Sequence, residues 1–107
     1  MKKINPYIIY ESINEGDGET IGEEDKISVV YTIKTSSGYL LYTSEHIPEE
    51  IELNRTISGI KIGLGRLKVG SKGILYIHPN YGFRDKTLLP AIKPYLIVEF
   101  NIISKIY

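Results

Sequence analysis

The chain has 107 residues, of which 42% are hydrophobic and 24% charged, so it is long enough to bury a core and unlike a disordered polypeptide. Its 13 basic and 13 acidic residues balance, which leaves no net charge to attract nucleic acid or an anionic membrane. No cysteine is present, which excludes disulfides, thiol nucleophiles and cysteine metal sites.

The first residues, Met1-Lys2-Lys3, resemble the start of a signal peptide, but the apolar run behind them covers only residues 7–10. That run is too short for the hydrophobic segment of a signal peptide. No stretch of ~18 apolar residues is available for a membrane span. We therefore expect a soluble, cytoplasmic protein, or a periplasmic or secreted one if a leader precedes this sequence.

Most of the chain alternates apolar and polar residues with a period of two, which indicates half-buried β-strands. The clearest case is residues 26–34, where every second residue from Ile27 to Ile33 is apolar and shares one face. Nine tyrosines against two phenylalanines also favour strands over helices. Strands are predicted at residues 7–13, 26–34, 39–43, 51–53, 72–77 and 95–106.

One segment has helical periodicity instead, since apolar residues recur there at three- and four-residue spacing. Ser58 is a favourable capping residue, and Gly70 stands where a helix often ends in a left-handed conformation. A single helix is predicted at residues 58–67. The apolar stripe consists of Ile57, Ile60, Leu64 and Leu67.

Many strands and one short helix favour an α+β fold, a curved antiparallel sheet (half-barrel) of about five strands wrapped around the helix. We expect this to be one domain spanning residues 1–107. Residues 79–94 are predicted to form a loop, and loops beyond ~12–15 residues in a compact domain are often functional.

The segment between Ile57 and Phe83 carries a specific resemblance. It contains Ile-Ser-Gly-Ile, then Leu-Lys-Val-Gly, and then a strand that ends in His-Pro-Asn-Tyr-Gly-Phe. This order resembles the FKBP family of peptidyl-prolyl cis-trans isomerases, in which Val-Ile-x-Gly-Trp leads to Met-x-x-Gly, a strand and Pro-x-x-x-Tyr-Gly. From Tyr7 onward the order of elements is also similar to a small FKBP domain. The resemblance implies an FKBP-like half-barrel with a pocket for proline peptides.

Two strands are similar to the family's pocket strands. Residues 29–32 are similar to Val-x-Tyr-Thr-Gly, which implies that Tyr31 forms a pocket wall. Residues 37–44 are similar to Asp-Gly-x-x-Phe-Asp-Ser-Ser. In that register Leu41 replaces the pocket phenylalanine and Tyr42 replaces the pocket aspartate.

The other pocket positions follow from the same resemblance. Thr56-Ile57 corresponds to Val-Ile, in which the isoleucine N–H binds peptide, and Ile60 replaces the tryptophan floor. Phe83 replaces the tyrosine whose hydroxyl donates to substrate, and Val98 replaces a phenylalanine; residues 88–94 resemble Ile-Pro-Pro-x-x-x-Leu without fixing one register. The implied catalytic residues are Tyr31, Tyr42, Ile57 and Phe83. The implied substrate-binding residues are Tyr31, Leu41, Tyr42, Thr56, Ile57, Ile60, Phe83 and Val98.

The resemblance implies a rotamase that isomerises Xaa-Pro bonds, weakened because Ile60, Tyr42 and Phe83 lack the family's ring, charge and hydroxyl. Such catalysis needs no cofactor, because a dry pocket binds the twisted transition state better than the planar amide. The lone histidines His46 and His78 have no second ligand at metal spacing, so no metal site is expected.

Two functions from different classes remain open, with a structural or assembly domain as a third. The first is weak isomerase activity in protein folding, and the second is a degenerate FKBP-like peptide-binding or chaperone module without turnover. The expected partners are proline-containing or unfolded polypeptides and, weakly, macrolide-type inhibitors. We expect no nucleic-acid or membrane partner.

Overall fold

The computed structural model describes residues 2–81 and 95–107. Within these ranges the chain forms seven β-strands, the helix α1 at Ser58–Leu64, and 3₁₀ turns at Leu53–Arg55 and Pro79–Tyr81. The strands are β1 (Lys2–Asn5), β2 (Ile8–Asn14), β3 (Lys26–Thr35), β4 (Leu40–Thr43), β5 (Glu49–Glu52), β6 (Lys72–Ile77) and β7 (Leu96–Ile106).

All seven strands belong to one antiparallel sheet with the order β1-β2-β6-β7-β3-β4. The outer edge of β3 is divided, because residues 26–29 pair with β5 and residues 32–34 pair with β4. Helix α1 packs against β2 and β6 and so covers one side of the sheet, which we call the inner face. This arrangement confirms the predicted α+β fold of a curved antiparallel sheet with a single short helix.

The core lies between α1 and the inner face. The alternation of β2, β6, β7 and β3 aligns one row of side chains across four strands, because Tyr10 faces Leu75, Leu75 faces Val98, and Val98 faces Ile33. All four are buried. Ile60 of α1 is buried in the same core, so neighbouring cross-strand residues and the helix stabilise one another by removing apolar surface from water.

The prediction that the helix continues to residue 67 is wrong. Helix α1 ends at Leu64, and Gly65 is its C-cap. Beyond it the backbone bonds to a distant segment instead, since Ile21 N–H donates to the Leu67 carbonyl at 2.8 Å. Gly70 does adopt a left-handed conformation with a φ of 94°, but it turns the chain into β6 and does not cap the helix. Long-range backbone pairing therefore sets the end of the helix.

The strand bounds also differ in places from the predictions. The first strand, β1, was not predicted, and it pairs with β2 in a short hairpin in which Tyr7 N–H donates to Asn5 Oδ1 at 2.7 Å. The sheet thus has seven strands where about five were expected. The short strand predicted at residues 51–53 lies at Glu49–Glu52, because these residues pair with β3 and Leu53 begins a 3₁₀ turn.

The glycines in α1 allow the helix to approach the sheet closely. A Cβ atom added at Gly63 would lie 2.6 and 2.8 Å from the two methyl carbons of Leu75, which is fully buried. Overpacking a core costs about 1–3 kcal/mol, while alanine gains about 1 kcal/mol over glycine within a helix. We therefore expect Gly63→Ala to lower the free energy of unfolding by up to about 2 kcal/mol in urea denaturation.

The matched control for Gly63→Ala is Gly22→Ala. There the nearest heavy atom to an added Cβ is Asp25 Oδ2 at 3.5 Å, which is ordinary van der Waals contact. We expect Gly22→Ala to change the free energy of unfolding by less than about 0.5 kcal/mol, as most surface substitutions do. A stability gain in Gly63→Ala would contradict the close packing of α1 on β6.

Candidate functional site

Tyr31 lies on the inner face of β3 and is held there by its backbone. Its N–H donates to Ser44 Oγ at 3.1 Å, and its carbonyl accepts from Ser44 N–H at 3.0 Å. The half-buried Tyr31 ring packs against the core, and burial, followed by the negative charge of Glu49, raises its pKa above the ordinary value. Because Ser44 is buried, these bonds fix where the end of β4 meets Tyr31.

Tyr42 and Glu49 join Tyr31 in a cluster that we call the tyrosine–glutamate cluster. The rings of Tyr31 and Tyr42 are 5.1 Å apart between centroids and tilted by 31°. The Tyr42 hydroxyl donates a hydrogen bond to the Glu49 carboxylate. Glu49 is half-buried on β5 opposite Val29, so it shares the inner side of the sheet with Tyr31. The cluster therefore contains a carboxylate, although the family resemblance implies a tyrosine, Tyr42, at the position of the pocket aspartate.

The Tyr42–Glu49 hydrogen bond leads to a testable pH dependence. That bond raises the pKa of Tyr42 to about 12, because a carboxylate acceptor favours the protonated phenol. The bond contributes fully to stability below the ordinary tyrosine pKa of about 10, and its contribution is lost as the pH rises toward 12. We expect Glu49→Gln to move the pKa of Tyr42 toward 10, measured by tyrosinate absorbance.

The control for this titration is Glu50→Gln. Glu50 is exposed and pairs with Lys26 at 3.2 Å, so its substitution removes one charge from the same strand without touching Tyr42. Superimposable absorbance titrations of the wild type and Glu49→Gln would show that the Glu49 carboxylate does not hold the Tyr42 proton.

The start of α1 presents a backbone donor. Ile57 is the N-cap, and its extended φ of −61° and ψ of 149° leave its side chain packed against the core. Its carbonyl accepts from the N–H groups of Ile60 and Lys61, at 3.1 Å each. Within residues 2–81 and 95–107, the Ile57 N–H donates no hydrogen bond. This backbone N–H can donate to a ligand, and its presence does not depend on the identity of the side chain at position 57.

The remaining predicted pocket residues fall into three groups. Ile60 and Val98 are 1% and 0% exposed and belong to the core, while Thr56 is half-buried and donates its N–H to the Leu53 carbonyl at 3.3 Å. Leu41 is 38% exposed and has no partner on β3, because the β3–β4 register shifts between Ile33 and Lys34. Phe83, with most of the loop at 79–94, lies outside the described residues. The pocket roles of these residues remain predictions.

Two features of the described structure were not predicted from the sequence. One is Glu49, which period-two alternation with Ile51 would have placed inward had the strand been predicted from residue 49. The other is an aromatic cluster at the base of the loop at 79–94, in which Tyr7 stacks on Tyr81 at 5.1 Å between centroids. His78 meets Tyr7 and Tyr95 edge-on at 5.3 and 5.4 Å. No sequence signal joins rings from such distant positions.

The described part of the chain offers neither a metal-binding group of side chains nor a helix suited to a membrane. Within residues 2–81 and 95–107, no three or more histidine or acidic side chains are grouped so that they would hold a metal ion. In the same ranges, no helix has the length and apolar character needed to cross a membrane.

Comparisons with known proteins give one consistent family. Residues 17–103 match the family of FKBP-type peptidyl-prolyl cis-trans isomerases. The chain is 32% identical over 97 residues to the peptidyl-prolyl cis-trans isomerase Mip of Chlamydia pneumoniae, which covers 89% of this chain and 37% of that protein. It is 26% identical over 100 residues to FK506-binding protein 1 of Rhizopus delemar, covering 89% of this chain and 93% of that protein. This chain thus spans less than half the length of the Chlamydia relative.

A solved structure supports the fold independently. The crystal structure of a peptidyl-prolyl cis-trans isomerase from Pseudomonas syringae pv. tomato matches with a TM-score of 0.81 at 22% identity. The match covers 94% of this chain and 76% of that one. At this identity the likeness bears on the fold alone, and it agrees with the curved sheet and short helix described above.

Proposed function

The chain belongs to the FKBP-type peptidyl-prolyl cis-trans isomerase family, and we propose that it isomerises Xaa-Pro bonds of polypeptide substrates. The observation that carries this proposal is the Ile57 N–H at the start of α1, which donates no hydrogen bond within residues 2–81 and 95–107. It lies in the Thr56-Ile57-Ser58-Gly59 segment that resembles the family's peptide-binding motif. Its side chain and the Tyr31 ring pack against the same apolar core.

The proposed chemistry is differential binding. Rotation about the prolyl bond has a barrier of ~18–20 kcal/mol because amide resonance must be lost. The twisted transition state has a smaller dipole than the planar amide, so an apolar wall such as Tyr31 binds it relatively better. The Ile57 N–H would hold a flanking substrate carbonyl in place, which positions the bond without any nucleophile or proton transfer.

We further propose that the activity is weaker than that of a relative with the full aromatic pocket. Ile60 is buried and has no flat ring to support the pyrrolidine. Phe83 has no hydroxyl to donate to the substrate, and Tyr42 stands where the family has an aspartate. Glu49 reduces the effect of the missing aspartate charge, because its carboxylate accepts a hydrogen bond from the Tyr42 hydroxyl.

The burial of Ile60 and Val98 favours a second candidate, a peptide-binding or chaperone module without turnover. Neither side chain has free surface to contact a proline ring, since both are enclosed in the core. Such a module would hold apolar segments of unfolded chains at the Tyr31 and Ile57 surface. The name of the Rhizopus relative refers to the binding of FK506. Binding of such macrolides to this chain would be weak, because Ile60 and Val98 are enclosed in the core.

A protease-coupled isomerisation assay on short proline peptides tests the proposal. We expect a rate above the uncatalysed one that rises linearly with protein concentration. Suppression of aggregation of an unfolded client, measured in parallel by light scattering, reports the second candidate. No acceleration together with clear suppression would replace the isomerase proposal by the binding module.

A further inference from the structure

Glu49 is a half-buried carboxylate without a cationic partner in the described part of the chain. Neighbouring carboxylates are paired, since Glu50 meets Lys26 at 3.2 Å and Glu52 meets Arg55 at 3.0 Å. In residues 2–81 and 95–107, the hydrogen bond that Glu49 receives comes from the Tyr42 hydroxyl and uses Oε2. An ionised carboxylate has about four acceptor positions. Glu49 can therefore accept further hydrogen bonds, and a partly buried charge is stabilised by a cation.

The two tyrosine rings beside Glu49 are also suited to bind a cation. The ring centroids of Tyr31 and Tyr42 are 5.1 Å apart. The Tyr42 hydroxyl donates a hydrogen bond to the Glu49 carboxylate, so this pair of rings lies beside the charge. The faces of tyrosine rings attract ammonium and guanidinium groups. A carboxylate beside two aromatic rings thus recognises a basic side chain by charge and by its apolar stem.

We propose that Glu49 makes this site prefer polypeptides with Lys or Arg directly before or after the proline. The inference rests on the proposed function, because it assumes that substrate binds against Tyr31, the ring that Tyr42 contacts. A basic side chain next to the proline then reaches the Glu49 carboxylate. An acidic side chain at that position is repelled, so the same group both selects and rejects substrates.

The test compares two peptide series that differ in one residue, Lys, Leu or Glu, placed before the proline in one series and after it in the other. In at least one series we expect kcat/KM to be about two- to tenfold higher for Lys than for Leu, as for a partly exposed ion pair beside an aromatic ring. The Glu peptide should be the poorest. The preference should shrink in high salt, because ions screen partly exposed charges.

Glu49→Gln and Glu50→Gln separate the local charge from the overall charge. The glutamine at position 49 keeps an acceptor for the Tyr42 hydroxyl but removes the negative charge. We expect it to abolish the Lys preference, so that the ratio of kcat/KM between the Lys and Leu peptides falls to about one within this variant, whatever its effect on the Leu peptide itself. Glu50→Gln removes the same charge from the same strand and should retain the preference.

Each outcome supports or overturns the inference. An equal Lys preference in Glu49→Gln, an equal loss in Glu50→Gln, or no preference in wild type overturns it while the isomerase proposal stands. If no peptide is isomerised, the proposed function fails, and dissociation constants of the same peptides, measured by NMR titration, decide the inference. Tighter binding of the Lys peptide than of the Leu peptide, lost in Glu49→Gln, then supports the inference. Equal dissociation constants for the two peptides overturn it.

Discussion

Replacing Ile60 by alanine is expected to lower the free energy of unfolding by about 2–5 kcal/mol, the range for truncating a buried isoleucine. Ile60 is 1% exposed and is part of the core between α1 and the sheet. Helix α1 has seven residues, too few to be stable without tertiary packing. Loss of this side chain therefore weakens both the core and the helix. Urea denaturation followed by circular dichroism measures the change.

The control for this substitution is Ile47→Ala. Ile47 is 65% exposed, so the same truncation should change the free energy of unfolding by less than about 0.5 kcal/mol. The opposite change, Ile60→Trp, would restore the family's ring but overpack the core at a cost of about 1–3 kcal/mol. Equal stability of Ile60→Ala and wild type would show that Ile60 is a pocket surface and not part of the core.

The strands that were predicted most accurately from the sequence are those with side chains buried in the core. The bounds of β6 were predicted correctly, and β3 was predicted to within one residue, because burial between two partner strands imposes the period of two. β1 was missed because its residues, Lys-Lys-Ile-Asn, pair through the backbone and carry no apolar alternation. The end of α1 was misplaced because it depends on bonds to residues near Ile21, which local periodicity does not report.

The site was harder to predict than the fold. The family resemblance pointed to Tyr31, Tyr42 and Ile57, and the structure shows Tyr31 beside Tyr42. It gave no indication of Glu49, whose contact with Tyr42 depends on how β5 pairs with β3. The carboxylate next to Tyr42 comes from β5, and the resemblance placed the pocket aspartate on β4. The effect of a substitution in a pocket therefore depends on the neighbouring side chains and cannot be inferred from that position alone.

The position of Glu49 beside Tyr42 changes which substitution is expected to raise isomerase activity most. Tyr42→Asp would place a second carboxylate near Glu49, and like charges in one site oppose ionisation. Ile60→Trp would strain the core. Phe83→Tyr adds a hydroxyl at the position where, by the family resemblance, a tyrosine donates to the substrate carbonyl. A hydrogen bond left unmade to a buried acceptor costs about 1–3 kcal/mol.

We therefore expect Phe83→Tyr to raise kcat/KM on proline peptides by roughly fivefold to a hundredfold, since each 1.36 kcal/mol changes a rate about tenfold. The wild type should remain about two orders of magnitude below a family member with the full aromatic pocket, given losses of that size at neighbouring positions. Tyr39→Phe, which removes a hydroxyl from an exposed ring, is the control and should leave kcat/KM unchanged. A folded Phe83→Tyr variant with wild-type kcat/KM would show that residue 83 does not contact the substrate and that the family register fails at this loop.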